Sequence, residues 1–221
     1  MRHKVLLIED EPNLLYIMEQ VFTAKGYNVL TATNGKQGLE VYHRDAPEFI
    51  VTDWMVPIMD GLEFVKRLRM SDKRTPVLIL TGKTGEEDAV EGYAAGANSF
   101  VRKPFSMKEI LASIDSYFSL SAGSGQSREA LLFGSSASLD PVSQTLAIGG
   151  KVVQLTNMEY CVLETLVLNK NNTVTTASLL SRLWNDDAFS SANLHVYISK
   201  LRAHLKDDES ITLLNLRGRR L

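Results

Sequence analysis

Short, almost uninterrupted apolar runs recur along the first half of the chain: VLLI at 5–8, NVLTA at 28–32, FIVT at 49–52, VLIL at 77–80 and SFV at 99–101. Runs of this length and polarity predict strands of a parallel sheet covered on both faces. The segments between them, such as NLLYIMEQVFTAKG, closing at Gly26, and GLEFVKRLRMS, repeat their apolar positions at helical spacing. Five β-α alternations predict an α/β fold, a doubly wound, five-stranded parallel sheet.

The second half has a different texture. LLFG, ASLD, TLAIGG and KVVQL are short β segments separated by turn residues, and Gly149-Gly150 marks a hairpin. Thr156 and Glu159 stand at capping-box spacing and open an amphipathic helix. Two more helical patterns follow, near 176–184 and 191–206, and then a short β-like tail. A small antiparallel sheet, three helices and a terminal hairpin outline a winged helix-turn-helix domain. Between the halves, YFSLSAGSGQSREA loses all periodicity and is rich in Ser, Gly and Ala, which predicts a flexible linker. The expected division is 1–119, a linker at 120–130, and 131–221.

Composition narrows the class. With 44% hydrophobic and 23% charged residues, the chain reads as globular. No apolar run approaches a membrane span, and the four-residue run that opens the chain is too short for a secretory signal, so a cytoplasmic location is expected. One cysteine, Cys161, excludes an internal disulfide and is expected to be a buried small hydrophobe. Up to residue 118 the chain has 14 Lys and Arg against 17 Asp and Glu; thereafter it has 10 against 9. That is a weak electrostatic signature for nucleic acid, so any such role must rest on pattern. His3, His43 and His204 lack metal-ligand spacing, and Asp207-Asp208-Glu209 reads as a solvated turn.

Ligands of open parallel sheets bind beyond the carboxyl ends of the strands. Glu9 and Asp10 follow the first predicted strand, Asp53 the third, Thr81 the fourth and Lys103 the fifth. Three carboxylates meeting at one point repel unless a cation sits among them, and hard oxygen ligands suit Mg²⁺. Asp53 is then a candidate nucleophile towards a phosphoryl donor, with Lys103 and the Thr81 hydroxyl as phosphoryl contacts.

LLIEDE, DWMVPIMDG, LILTG and AAGANSFVRKPF make residues 1–118 resemble a response-regulator receiver domain, which implies a flavodoxin-like sheet. The resemblance implies a phosphoacceptor at Asp53, with Pro57 and Gly61 at family spacing after it. It puts Glu9, Asp10, Asp53 and Met55 at the metal, makes Thr81 and Phe100 the pair that relays phosphorylation, and makes Lys103-Pro104 a candidate cis bond. Met55 and Lys83 occupy positions that tune acyl-phosphate hydrolysis in the family. Asn98-Ser99 and Ser113 depart from it, because charged residues there normally cross-link two receivers. The expectation that follows is a dimer held by apolar contacts, or one that phosphorylation controls weakly.

In the last predicted helix, Leu194, Ile198, Leu201 and Leu205 form a core stripe, with His195, Ser199, Arg202 and Lys206 opposite and Lys200 beside them. A helix with one basic, hydrogen-bonding face suits the major groove. LDP, LTNMEY, LLSRLW, VYISKLRAHL and LRG, in that spacing, resemble the OmpR/PhoB class over residues 131–218. The resemblance implies DNA contacts from His195, Ser199, Lys200, Arg202 and the wing residue Arg217, a core role for Trp184, and a wing shortened after Gly218.

Together these features predict a two-component response regulator, phosphorylated on Asp53 by a sensor histidine kinase with Mg²⁺, that controls DNA binding and transcription. It is expected to be no enzyme beyond catalysing its own phosphorylation and dephosphorylation. An active homodimer, double-stranded DNA and RNA polymerase complete the expected partners. Two alternatives stay open: an orphan DNA-binding regulator indifferent to phosphorylation, and a phosphorelay or docking module that no longer binds DNA.

Overall fold

The computed structural model describes residues 2–83, 85–122, 129–183 and 190–216. In the N-terminal domain, β1 (Lys4–Ile8), α1 (Pro12–Ala24), β2 (Asn28–Ala32), α2 (Gly35–Asp45), β3 (Phe49–Asp53), α3 (Gly61–Ser71), β4 (Val77–Thr81), α4 (Glu86–Ala95), β5 (Ser99–Arg102) and α5 (Met107–Ala122) alternate without exception. The five strands are parallel in the order β2-β1-β3-β4-β5.

The sheet is covered twice, which explains its nearly continuous apolar strands. Leu6, Ile8, Ile50, Val77 and Ile79 pack against Val41, Phe64, Val65 and Leu68 of α2 and α3. Their strand neighbours Val5, Leu7, Val51, Leu78 and Leu80 point the other way, onto Met18 and Phe22 of α1 and Ile110 and Ile114 of α5. Buried Arg69 ties one edge together, donating to the carbonyls of Gly96, Asp72 and Thr75 and to Asn98 Oδ1. Burial lowers its pKa, against the pull of Asp72.

In the C-terminal domain, β6 (Leu131–Phe133), β7 (Ala137–Asp140), β8 (Thr145–Ile148) and β9 (Lys151–Gln154) form an antiparallel meander, followed by α6 (Asn157–Leu168), α7 (Thr176–Leu183) and α8 (Ser190–Leu205). Gly149 and Gly150 turn the last hairpin with φ of 55° and 75°, the type I′ geometry that favours two glycines. Thr156 accepts from Glu159 N while the Glu159 carboxylate accepts from Thr156 N, closing the expected capping box. Phe133, Leu139, Leu146 and Ile148 meet Val162, Leu163, Leu194 and Leu201 in the core, and Leu166 packs half-buried at its edge.

Three expectations are corrected. Residues 211–216, where the closing hairpin should begin, contain no strand; instead Arg202 donates twice to the Leu213 carbonyl and holds that segment against α8. Cys161 is half-buried rather than buried, with its sulfur 3.7 Å from Asn157 Oδ1. Asp208 is no solvated turn residue: it is 4% exposed and accepts from Ser135 N, Ser136 N and Ser210 N and from the hydroxyls of Ser135 and Ser210. A carboxylate was needed there because one group had to serve several donors at once. Most of the expected linker, residues 123–128, lies outside the described residues, as does Trp184.

Hydrogen bonding to Ser210 and Ser135 holds the Asp208 carboxyl well below the usual carboxylate range. Its contribution is therefore complete above the unfolded value of 3.8 and lost as pH falls through the lower folded value. Asp208→Asn should be less stable than the parent protein to urea at neutral pH, and the gap should narrow as the pH is taken below the unfolded value.

Candidate functional site: an acidic cluster at the strand ends

Each acidic residue is delivered by a strand that stops at the same edge of the sheet. Glu9 directly follows β1 and Asp53 is the last residue of β3. Ligand oxygens of Glu9, Asp10 and Asp53 all lie within 4.8 Å of one another. Glu9 and Asp53 are buried, whereas Asp10 is exposed. Distant segments therefore share one small volume, as the strand-end argument required.

Lys103 is the cation already in place. Its ammonium is 2.6 Å from Asp53 Oδ2 and 3.4 Å from Glu9 Oε2. Burial alone would lower its pKa, but the hydrogen bond and charge of Asp53, with Glu9 behind it, outweigh that and raise it. Glu9 moves upward as well: burial raises it and Asp53 adds repulsion, against the opposing effects of the Glu11 N–H and Lys103. The second Asp53 oxygen accepts from Met55 N at 3.3 Å.

Thr81 ends β4, 2% exposed, and its hydroxyl accepts from Lys83 N at 3.0 Å. Pairing of Asp53 with Leu80 puts the ends of β3 and β4 side by side. Lys103-Pro104 is cis, and Lys103 N donates to the Thr81 carbonyl. Gly61 opens α3 directly over the phosphoacceptor candidate. A β-carbon there would come within 2.2 Å of the Asp53 carbonyl oxygen, so only glycine lets the helix start this close. The Met55 side chain is 66% exposed; as a thioether it is too soft for a hard cation, which leaves its main-chain carbonyl as the group able to join the carboxylates.

Phe100, the other half of the expected relay pair, is half-buried and packs against the core of the N-terminal domain on one side and the face of α4 that carries Tyr93 on the other. Trp54 lies 6.1 Å away by ring centroids and Tyr93 meets Phe100 edge-on at 4.6 Å. The departures on this face are used internally. Asn98 Oδ1 accepts from Val77 N and Arg69, and the Ser113 hydroxyl donates to the Glu109 carbonyl.

On α8 the expected division of faces holds for most positions. Leu194, Leu201 and Leu205 are buried and Ile198 half-buried, while His195, Ser199, Arg202 and Lys206 are exposed. Lys200 differs: its ammonium donates to the Ala94 carbonyl of α4 at 3.1 Å and lies 3.6 Å from Glu159. Arg217 lies outside the described residues.

The sequence reading missed Tyr197. It is 1% exposed and donates its hydroxyl to the Ala97 carbonyl at 3.0 Å. Its spacing, three residues after Leu194 and four before Leu201, sets its ring on the apolar side of α8, but no spacing marks the partner of its hydroxyl, which belongs to the other domain. Its one signal was a hydroxyl-bearing aromatic at a buried position of α8, since a buried phenol needs a hydrogen-bond partner.

Comparison with known proteins matches both halves. Residues 5–115 match the response regulator receiver domain family and residues 150–219 the family described as transcriptional regulatory protein, C terminal. The transcriptional regulatory protein RprY of Bacteroides fragilis is 33% identical over 217 residues, covering 98% of this chain and 92% of that one. The response regulator MprA of Mycobacterium leprae is 31% identical, covering 97% and 95%. Among solved structures, a RitR mutant superimposes with a TM-score of 0.73 at 22% identity over 99% of this chain and 92% of that one, a likeness of fold. DrrB of Thermotoga maritima, an OmpR/PhoB homolog, matches with a TM-score of 0.52 at 25% identity over 96% and 91%. With an acidic cluster ending a five-stranded parallel sheet and a helical DNA-binding domain behind it, the chain belongs to the two-component response regulators of the OmpR/PhoB class.

Proposed function

We propose that this response regulator is switched by phosphorylation of Asp53 from a sensor histidine kinase, and that the switch controls how α8 engages duplex DNA. The observation that carries the proposal is the convergence of Glu9, Asp10 and Asp53 within 4.8 Å, with the Lys103 ammonium 2.6 Å from Asp53. Hard carboxylate oxygens at that spacing fit Mg²⁺, held by these three residues and the Met55 main-chain carbonyl. When bound, the ion supplies positive charge against the phosphoryl oxygens.

An Asp53 carboxylate oxygen attacks phosphorus, and the bond to the donor's leaving group breaks with its electron pair departing on that group. Lys103, already seated on Asp53, is placed to follow the charge onto the new phosphoryl oxygens. The Thr81 hydroxyl then exchanges the Lys83 N–H for a phosphoryl oxygen and becomes a donor instead of an acceptor. The product is an acyl phosphate, and no outside substrate is turned over beyond the protein's own phosphorylation and dephosphorylation. A site this complete favours phosphorylation control over an orphan role.

The output is paired binding to double-stranded DNA in the cytoplasm, through His195, Ser199, Lys200, Arg202 and Arg217, with RNA polymerase as the downstream partner. Because Asn98 and Ser113 are spent on internal hydrogen bonds, the active homodimer is held by apolar contacts.

Asp53→Asn should reduce acid-labile labelling by acetyl phosphate to background. Chelating Mg²⁺ should slow labelling of the parent protein more than about a hundredfold, because the ion stabilises transferring charge by several kcal/mol. Equal incorporation in Asp53→Asn would refute the assignment. For the second domain, Arg202→Ala combined with Arg217→Ala should flatten the dependence of log K on log salt by about 2 in a duplex mobility-shift titration.

A further inference from the structure

The chain leaving β3 keeps the alternation of the strand. Ile50 and Trp54 are buried against α2 and α3, whereas Phe49 and Val51 face α1 and α5. Side chains two positions apart share a side, so Asp53 and Met55 continue the second series past the edge of the sheet. Trp54 N donates to the Leu80 carbonyl, which carries the ladder one residue beyond the strand. Trp54 and Val56 are buried, but Met55 between them is 66% exposed. Its N–H donates to Asp53 Oδ1 at 3.3 Å, which roots its side chain beside the carboxylate.

The other methionines are sorted by burial. Met18, Met59 and Met158 are buried and Met107 is half-buried. Among the described residues, Met55 and Met70 are the two open to solvent. Met70 is 84% exposed but stands near the far end of α3, about 14 Å along the helix from Gly61. One accessible thioether is therefore at the acidic site and the other well away from it.

An accessible thioether is oxidised by peroxides. Its sulfur attacks one oxygen of hydrogen peroxide: an S–O bond forms, the O–O bond breaks, and the departing oxygen takes both hydrogens and leaves as water. The sulfur gives up two electrons and the peroxide gains them. A thiol-dependent reductase reverses the change, oxidising two thiols to a disulfide and releasing the sulfoxide oxygen as water.

The consequence follows from where the side chain is rooted. As a thioether, Met55 offers water an apolar neighbour and a weak acceptor. A sulfoxide puts a polar oxygen on the same flexible arm, able to accept from a water and hold it for attack on phosphorus. The water oxygen then bonds to phosphorus, and the bond to Asp53 breaks with its electron pair returning to the carboxylate. The water's protons leave with the inorganic phosphate.

We propose that Met55 is a reversible oxidation site that sets the lifetime of phosphorylated Asp53: the sulfoxide form loses its phosphoryl group faster than the thioether. The proposal rests on the phosphorylation reading above and adds a peroxide as a second input to the same site.

The test treats the full chain with dilute hydrogen peroxide and then with dithiothreitol, which reverses disulfide or sulfenate at Cys161 and leaves sulfoxides in place. Peptide mass spectrometry should show Met55 and Met70 oxidised well before Met18, Met59 and Met158. Each form is labelled with acetyl phosphate and Mg²⁺, freed of donor, and followed for loss of acid-labile phosphate. Oxidised parent protein should lose it about fivefold faster, the scale of one hydrogen bond to the attacking water. Methionine sulfoxide reductase should restore the original rate. Met70→Leu should respond as the parent does, whereas Met55→Leu should keep one rate before and after peroxide. Met55→Gln, whose amide oxygen stands where the sulfoxide oxygen would, should lose phosphate faster than the parent without any peroxide. A parent rate unmoved by oxidation of Met55, or an equal change in Met55→Leu, overturns the proposal and leaves phosphorylation standing. Absence of acid-labile label from untreated protein removes the phosphorylation reading, and the proposal falls with it.

Discussion

Carboxylates gathered in a partly dry site cannot stand without positive charge, and the N-terminal domain is organised around meeting that need. Parallel strands that end together deliver Glu9 and Asp53, and the loop after β5 brings Lys103 to 2.6 Å from one and 3.4 Å from the other. Remove the common direction of the strands and the acidic residues fall in separate neighbourhoods. Remove Lys103 and two buried acids face each other with Met55 N and Glu11 N to soften the repulsion. The arrangement is a poised one: a cation is present, yet the oxygens still cluster closely enough for a metal ion. Chemistry that adds negative charge at Asp53 perturbs a balance already set.

What the sequence made legible was what periodicity and strand-end logic can reach. Continuous apolar runs identified the doubly covered sheet, because strands buried on both faces cannot alternate. Capping at Thr156 and Glu159 and the turn at Gly149-Gly150 were readable since each depends on residues within three positions. The acidic cluster was readable because the topology of an open sheet fixes which ends converge. Asp208 was not, for an acidic run after a helix looks the same whether water or the donors of three serines surround it. Lys200 and Tyr197 were not, because their partners are main-chain carbonyls some hundred residues earlier, and a carbonyl has no side-chain signature.

The same limit applies to the face of α8 that the sequence reading set aside for DNA. Phase around α8 sorts residues into those that touch their own core and those that do not. It is blind to a second protein surface arriving from outside the domain. His195 and Ser199 remain exposed, whereas Arg202 donates to the Leu213 carbonyl and Lys200, on the flank that α4 approaches, to that of Ala94.

Tyr93 of α4 is buried in one cluster with Leu139, Leu163 and Leu201 of the C-terminal domain. A ring packed into the other domain's core ties the melting of the two together, so the protein has fewer independent unfolding units than it has folded ones. Calorimetry of such a molecule would report a single merged transition.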